Sequence, residues 1–155
     1  MVSALYKGWY DYDPKVGKGR KPIPSKEVEQ FIASFAPSLA VAPLSSAEIV
    51  ARVMFPLVNE GFKCLEEGIA NSPADIDVIY LHGYGWPVWR GGPMFWADHD
   101  VGLSKLLAAL KKYSRQYPDE DHFVPSKLLE TCVQMGVTVE DYFARGLSKQ
   151  VHSRL

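Results

Sequence analysis

The chain has 155 residues, 47% of them hydrophobic, which sets it at one ordinary domain with a tail and makes global disorder a poor description. Lys plus Arg total 17 and Asp plus Glu total 18, so a net charge of −1 offers no electrostatic drive toward nucleic acid or an anionic membrane. No apolar run approaches the roughly 18 residues that span a bilayer. The N-terminal residues lack the charged-then-apolar layout of a secretory signal, so export is not expected. Cys64 and Cys132 are too few for a disulfide scaffold or a four-thiolate zinc site, and their apolar neighbours suit reduced core thiols in a reducing compartment.

Residues 1–24 read as a linker: Gly8, Pro14, Gly17, Gly19, Pro22 and Pro24 break any periodicity, and Lys15, Lys18, Arg20 and Lys21 cluster. The same stretch carries Tyr6, Trp9, Tyr10 and Tyr12, more apolar surface than a free linker keeps, and is expected to lie on a partner surface. The helical domain is expected over 25–150, starting with a short helix from Ser25 to Phe35 in which Val28, Phe31, Ile32 and Phe35 recur at helical spacing. The clearest helix follows Ser45 or Ser46, its stripe formed by Val50, Met54, Leu57, Val58, Gly61 and Leu65 and its end marked by Gly68. Pro56 falls inside it and predicts a kink rather than two helices.

Ser72-Pro73-Ala74-Asp75 places a capping hydroxyl, a proline at the first helical position and a carboxylate at the third. Ile76, Ile79 and Tyr80 make the apolar side of that helix, and Gly83 stops it. Gly83 to Pro93 is too rich in Gly and Pro for regular structure, yet holds Tyr84, Trp86 and Trp89, which predicts a packed, ordered loop. Pro93 opens a short turn through Phe95 and Trp96. An amphipathic helix then carries Leu103, Leu106, Leu107, Leu110 and Tyr117, with Lys105, Lys111, Lys112 and Arg115 off its stripe. Pro125–Met135, closed by Gly136, and a short helix from Thr138 to Gly146 complete an all-α architecture with no competing strand and no repeat.

Chemistry is sparse. His82, His99, His122 and His152 are scattered without metal-ligand spacing, and no phosphate-binding glycine loop is present. Cys64 is a nucleophile in one reading and a core residue in the other. Glu60, beside Asn59, is either a base in an apolar groove or, with Asn59, a partner for backbone donors freed by the Pro56 kink or the Gly-rich loop. Asp75 and Asp77 are expected to favour their own helix N-terminus, and Asp98-His99-Asp100 is either an acid-base cluster or a solvated turn. The tail 151–155 ends Ser153-Arg154-Leu155, close to the Ser-Lys-Leu address that a receptor reads for peroxisomal import.

Phe55-Pro56-Leu57-Val58-Asn59-Glu60-Gly61, Glu67-Gly68-Ile69-Ala70, Asp75-Ile76-Asp77, Gly83-Tyr84-Gly85-Trp86-Pro87 and Gly91-Gly92-Pro93 together resemble the helical C-terminal domain of the 3-hydroxyacyl-CoA dehydrogenase family, a fold shared with 6-phosphogluconate dehydrogenase. Arg52, Pro56, Asn59, Glu60, Gly68, Asp75, Asp77, Gly83, Gly85, Pro87, Gly92 and Pro93 are the residues that carry this motif. The longer run Tyr84–Phe95 is similar to the second copy of the domain in multifunctional β-oxidation enzymes, and Lys7-Gly8-Trp9-Tyr10-Asp11-Tyr12 to the close of the first copy.

The resemblance implies that the chain is the terminal piece of a longer parent, which hydrates 2-enoyl-CoA and oxidises L-3-hydroxyacyl-CoA with NAD through a Rossmann module. It implies no catalytic residue and no cofactor here, because Ala51 stands where the family's catalytic Asn precedes Arg52. It further implies packing on the preceding helical and Rossmann domains as a pseudo-dimer partner, through an aromatic face at Trp86, Trp89, Phe95 and Trp96. The peroxisomal import receptor is the expected second partner. An acyl-CoA-binding module, or a self-associating scaffold that forms a homodimer, are the alternatives.

Overall fold

A computed structural model describes residues 8–35 and 44–147. Ser153-Arg154-Leu155, expected as an import address, His152 and Tyr6 lie outside the described residues. The chain groups into two compact units, Met1–Pro43 and Leu44–Leu155. The helix that begins after Ser25 therefore groups with the residues before it, whereas the sequence places it with the helical domain.

In the first unit a two-residue strand β1 (Tyr10–Asp11) pairs antiparallel with β2 (Ile23–Pro24), Tyr10 opposite Pro24 and Asp11 opposite Ile23. The linker thus contains a small ladder that its Gly and Pro content hid. Gly17, Lys18 and Gly19 all take positive φ at the turn between the strands, 58°, 55° and 73°, a run that two glycines make affordable. Helix α1 (Lys26–Phe35) follows, with Glu27 and Glu29 in its first turn where the dipole favours anions.

The second unit is all-helical: α2 (Ser46–Glu66), α3 (Pro73–Gly83), α4 (Pro93–Trp96), α5 (Leu103–Gln116), α6 (Lys127–Met135) and α7 (Val139–Ala144). Short 3-10 turns cover Val88–Arg90 and Asp121–Phe123, and one π-helical turn spans Ala97–Val101. The start signals act as expected. The Ser45 hydroxyl accepts from Glu48 N at 3.2 Å, and Ser72 and Asp75 form a reciprocal capping box. Ser126 and Thr138 hydroxyls accept from Leu129 N and Asp141 N. Each cap satisfies a donor that the helix leaves without a partner.

One helix, α2, runs through Pro56. Of the expected stripe Val58, Gly61 and Leu65 are buried and Met54 and Leu57 pack against the core, while Val50 is 45% exposed; Ala51, Phe55 and Phe62 widen the core face beyond it. Val53 to Val58 is apolar at every position, so periodicity alone leaves the width of the core face open. α2, α5 and α6 pack on one another, and α3 packs on α4. α5 buries Leu103, Leu106, Leu107, Leu110 and Tyr113, while Tyr117 lies past its end and is exposed. In α3, Ile76 is buried but Ile79 is 56% exposed, so the expected apolar side is narrower than its residues suggested. Among the described residues no helix is long and apolar enough to cross a membrane.

Candidate functional site

Two buried polar side chains of the second unit, Asn59 and Asp77, and the half-buried Asp98 are committed to backbone groups distant in sequence. Asn59, fully buried on α2, donates to Val124 O at 2.8 Å and His122 O at 3.4 Å and accepts from Ser126 N at 2.9 Å. It ties α2 to the turn that precedes α6. Asn59 does serve backbone groups, but those of 122–126 rather than those near Pro56 or in the Gly-rich loop. Glu60 points elsewhere, 65% exposed and 3.7 Å from Lys63, so the apolar groove that would make it a base is missing.

Asp77 departs from its expected role. It sits in the middle of α3 and accepts from Met94 N at 2.7 Å and Phe95 N at 3.1 Å, capping the start of α4 instead of its own helix. Gly92 makes this approach possible. Its φ is 108°, and a Cβ there would lie 2.4 Å from Asp77 Oδ1, so no other residue fits. The motif residues Asp77, Gly92 and Pro93 thus meet in one place, and Gly61 gives α2 the same close contact with α4, where a Cβ would meet Met94 Sδ at 2.6 Å. Burial pushes the Asp77 carboxyl up to about 6 against the pull of its two backbone donors, with the Asp98 and Glu140 charges adding to the rise.

Asp98 repeats the device. It accepts from Val139 N at 3.0 Å and Glu140 N at 3.2 Å at the start of α7, and burial raises its pKa too. The Asp98-His99-Asp100 run is a π-helical turn with one half-buried anchor, Asp98, rather than a fully solvated turn. His99 lies 3.8 Å from Glu140 and stacks on Phe95, while Asp100 pairs with Arg90 at 3.2 Å. No proton relay follows from these pairings. Glu66 similarly accepts from Lys127 N and Leu128 N at the start of α6. Nothing near Glu66 or Asp98 in sequence announces these contacts, because their partners lie about 40 to 60 residues away.

Arg52 joins α2 to α5. Its guanidinium donates to the Tyr117 hydroxyl at 2.6 Å, pairs with Glu48 at 2.9 Å, and lies over the rings of Tyr113 and Tyr117 at 5.2 and 5.5 Å. The Tyr117 and Glu48 contacts both raise its pKa, and it stays charged. Ala51, one residue before, is buried on the wall of a cleft of about 710 Å3 that Phe55, Trp96, Arg90 and Lys105 also line. A methyl group there neither donates nor accepts a hydrogen bond. The remaining motif glycines and prolines are spread through the turns: Gly68 and Gly85 take φ of 72° and 68°, Gly83 is the last residue of α3, and Pro87 precedes a 3-10 turn.

The Gly-rich loop divides. Trp86 is buried against Tyr80 and Trp96, its Nε1 without an acceptor among the described residues, while Tyr84, Val88 and Trp89 are exposed by 74%, 78% and 76%. The expected aromatic face is therefore corrected: Trp86 and Trp96 belong to the core, and Trp89 and Phe95 stay outside. Both thiols are core groups. Burial raises Cys64 and pushes Cys132 up to about 12, so neither is a thiolate at neutral pH. No cluster of three or more metal-ligating side chains occurs among the described residues.

Comparison with known proteins agrees with this frame. Residues 49–142 match the family described as 3-hydroxyacyl-CoA dehydrogenase, C-terminal domain. The chain is 45% identical over 132 residues to the human peroxisomal bifunctional enzyme, covering 84% of this chain and 18% of that protein. It is 39% identical to a glyoxysomal fatty acid beta-oxidation multifunctional protein of Cucumis sativus, covering 72% of this chain and 15% of that one. The crystal structure of the dehydrogenase part of multifunctional enzyme 1 from C. elegans superposes with a TM-score of 0.56 and 28% identity, over 81% of this chain and 28% of that one. The chain spans less than a fifth of the length of these curated relatives. The Asp77–Gly92 cradle, the Asn59 tie and the all-helical second unit are thus features of a chain that belongs to the family of 3-hydroxyacyl-CoA dehydrogenase C-terminal domains.

Proposed function

We propose that this chain is a non-catalytic helical domain of a peroxisomal multifunctional fatty acid β-oxidation enzyme, packing on the dehydrogenase part as a pseudo-dimer partner and carrying the import address. The observation that carries the reading is Ala51. It lines the cleft beside Arg52, where the family's catalytic Asn would stand, and its methyl group cannot orient a substrate carbonyl or a catalytic imidazole. The parent supplies NAD and the catalytic pair from other modules. Adding the chain to acetoacetyl-CoA and NADH leaves the NADH absorbance unchanged; measurable turnover overturns the reading.

The packing face is the exposed part of the Gly-rich loop, Tyr84, Val88 and Trp89, where Arg90 lies 4.2 Å over the Trp89 ring. Exposed aromatics paired with arginine are the residues that dominate interface energetics. Trp89→Asp weakens association with the separately expressed dehydrogenase part in sedimentation and leaves the fold intact; unchanged association removes this face. Ser153-Arg154-Leu155 is the peroxisomal address. A fluorescent fusion lacking Leu155 stays in the cytosol, and punctate import without it refutes the signal.

The cleft at Ala51 favours one second reading, an acyl-CoA-binding module. Its floor is apolar, and its rim holds Arg90 and Lys105, the latter without an ion pair among the described residues. Calorimetric titration with acyl-CoA decides it, and absence of heat removes it.

A further inference from the structure

A second groove, of about 630 Å3, runs between α3 and α7 and differs in charge from the cleft at Ala51. Its walls are apolar: Val78, Leu81, Phe95, Phe143 and Ala144, with Val78 53% and Phe95 46% exposed. Its charged lining is acidic, with Asn71 and Ser72 as neutral polar neighbours. Asp77, Asp98 and Glu140 all face it, and no Lys or Arg is among the residues that line it. His99 lies 3.8 Å from Glu140, and Arg145, just past the end of α7, is turned to Asp141 at 3.6 Å.

The three carboxylates repel one another. Asp98 and Glu140 both act to raise the Asp77 pKa, and Glu140 acts to raise that of Asp98. Asp77 and Asp98 spend their hydrogen bonds on the starts of α4 and α7, which holds the charges in place at the base of the groove. Backbone donors neutralise such charges partly, and an approaching cation gains from what is left, more so in a desolvated setting. Apolar walls with an anionic floor are complementary to one chemistry: an apolar segment with a cation in its middle.

We infer that the α3–α7 groove docks a segment of a partner protein in which one arginine or lysine, flanked by apolar residues, reaches toward Asp77, Asp98 and Glu140. The apolar flanks cover Val78, Phe95 and Phe143, and the cation lies among the carboxylates. This surface is separate from the Tyr84–Trp89 loop and does not depend on the chain being non-catalytic.

Amide chemical shifts of the isotope-labelled full chain test it with two probes. Octylguanidinium, which has no peptide register to satisfy, is expected to shift the amides of Val78, Phe95 and Glu140, whereas octanol and octanoate are not. The capped heptapeptide Ala-Leu-Leu-Arg-Leu-Ala-Ser is expected to bind about tenfold more tightly than its citrulline counterpart, which keeps the shape and loses the charge. Glu140→Lys and Val78→Lys, both at exposed positions, are expected to weaken both probes without changing the thermal midpoint. Absence of octylguanidinium shifts in the groove, or equal binding of the arginine and citrulline peptides, overturns the proposal. Binding that appears only after residues 148–155 are removed assigns the groove to the chain's own tail and overturns a partner.

Discussion

α1 and α5 are both amphipathic helices, and they meet opposite fates. α5 buries Leu106 and Leu110 completely and Tyr113 almost so, because α2 and α6 close over its stripe. α1 leaves Phe31 60% and Ile32 51% exposed, and in the first unit only Ser25 is buried among the described residues. The hydrophobic period of a helix states which face seeks cover. It does not supply the cover, which takes partner elements whose burial repays the entropy of ordering.

The contrast is broken most severely in the core of the second unit. Phe62→Ala is expected to cost about 3–5 kcal/mol in urea unfolding, since Phe62 is fully buried in α2. Ile32→Ala in α1, at a 51% exposed position, should stay within about 0.5 kcal/mol, as substitutions at exposed sites do. If the two costs are similar, the exposure of α1 does not describe the chain in solution.

Asn59→Leu comes next. It leaves the buried Ser126 N–H and the half-buried Val124 carbonyl without their partner, for an expected loss of about 2–3 kcal/mol. Asn59→Asp keeps the acceptor for Ser126 N but turns a buried carboxylate oxygen toward the Val124 carbonyl, so the same probe reads a loss at neutral pH at least as large.

Protonation sharpens the comparison further, because the buried carboxylates belong to the second unit. Asp77 titrates near 6 when folded and near 3.8 when unfolded, so the folded chain holds the proton more tightly. Its contribution to stability is greatest below about pH 4, falls as pH rises through about 6, and is level above that. With the groove's solvent screening the charge, the fall is on the order of 1–2 kcal/mol. Thermal midpoints of wild type and Asp77→Asn measured across this window check it, and the variant should lack the slope. The smallest loss expected within the second unit is at a cap: Ser72→Ala removes the acceptor for Asp75 N and should cost about 1 kcal/mol by the same unfolding curves.

Much of the helical framework was legible locally. Ser45, Ser72 and Thr138 each cap the helix that their position announces, Ser126 caps α6, which starts at Lys127, two residues inside the start expected at Pro125, and Gly136 takes the left-handed conformation at the end of α6. These signals involve residues within four positions of each other, so a linear reading captures them. The width of the core face of α2 was not legible, since an unbroken apolar run from Val53 to Val58 supports several stripes. Nor was the division of the aromatic loop: Trp86 and Trp89 are three residues apart in one Gly-rich stretch, and only their surroundings make one core and the other surface.

The polar residues show the same limit more sharply. Asp77 and Asp98 looked like surface charges of their own elements, and each instead holds the start of a helix elsewhere. Asn59 was expected to serve backbone groups, and did, but at a turn more than sixty residues away.

By itself, the sequence determined an all-helical second unit, its caps, its breaks, its family motif and the alanine at residue 51, because these are properties of residue type and short spacing. Tertiary structure alone decided how wide the core face of α2 is, which tryptophans remain exposed, and where three carboxylates converge between α3 and α7. Those outcomes depend on which distant backbone donors and apolar walls arrive beside a side chain, and burial, the quantity that sets their energies, exists only once the helices have packed.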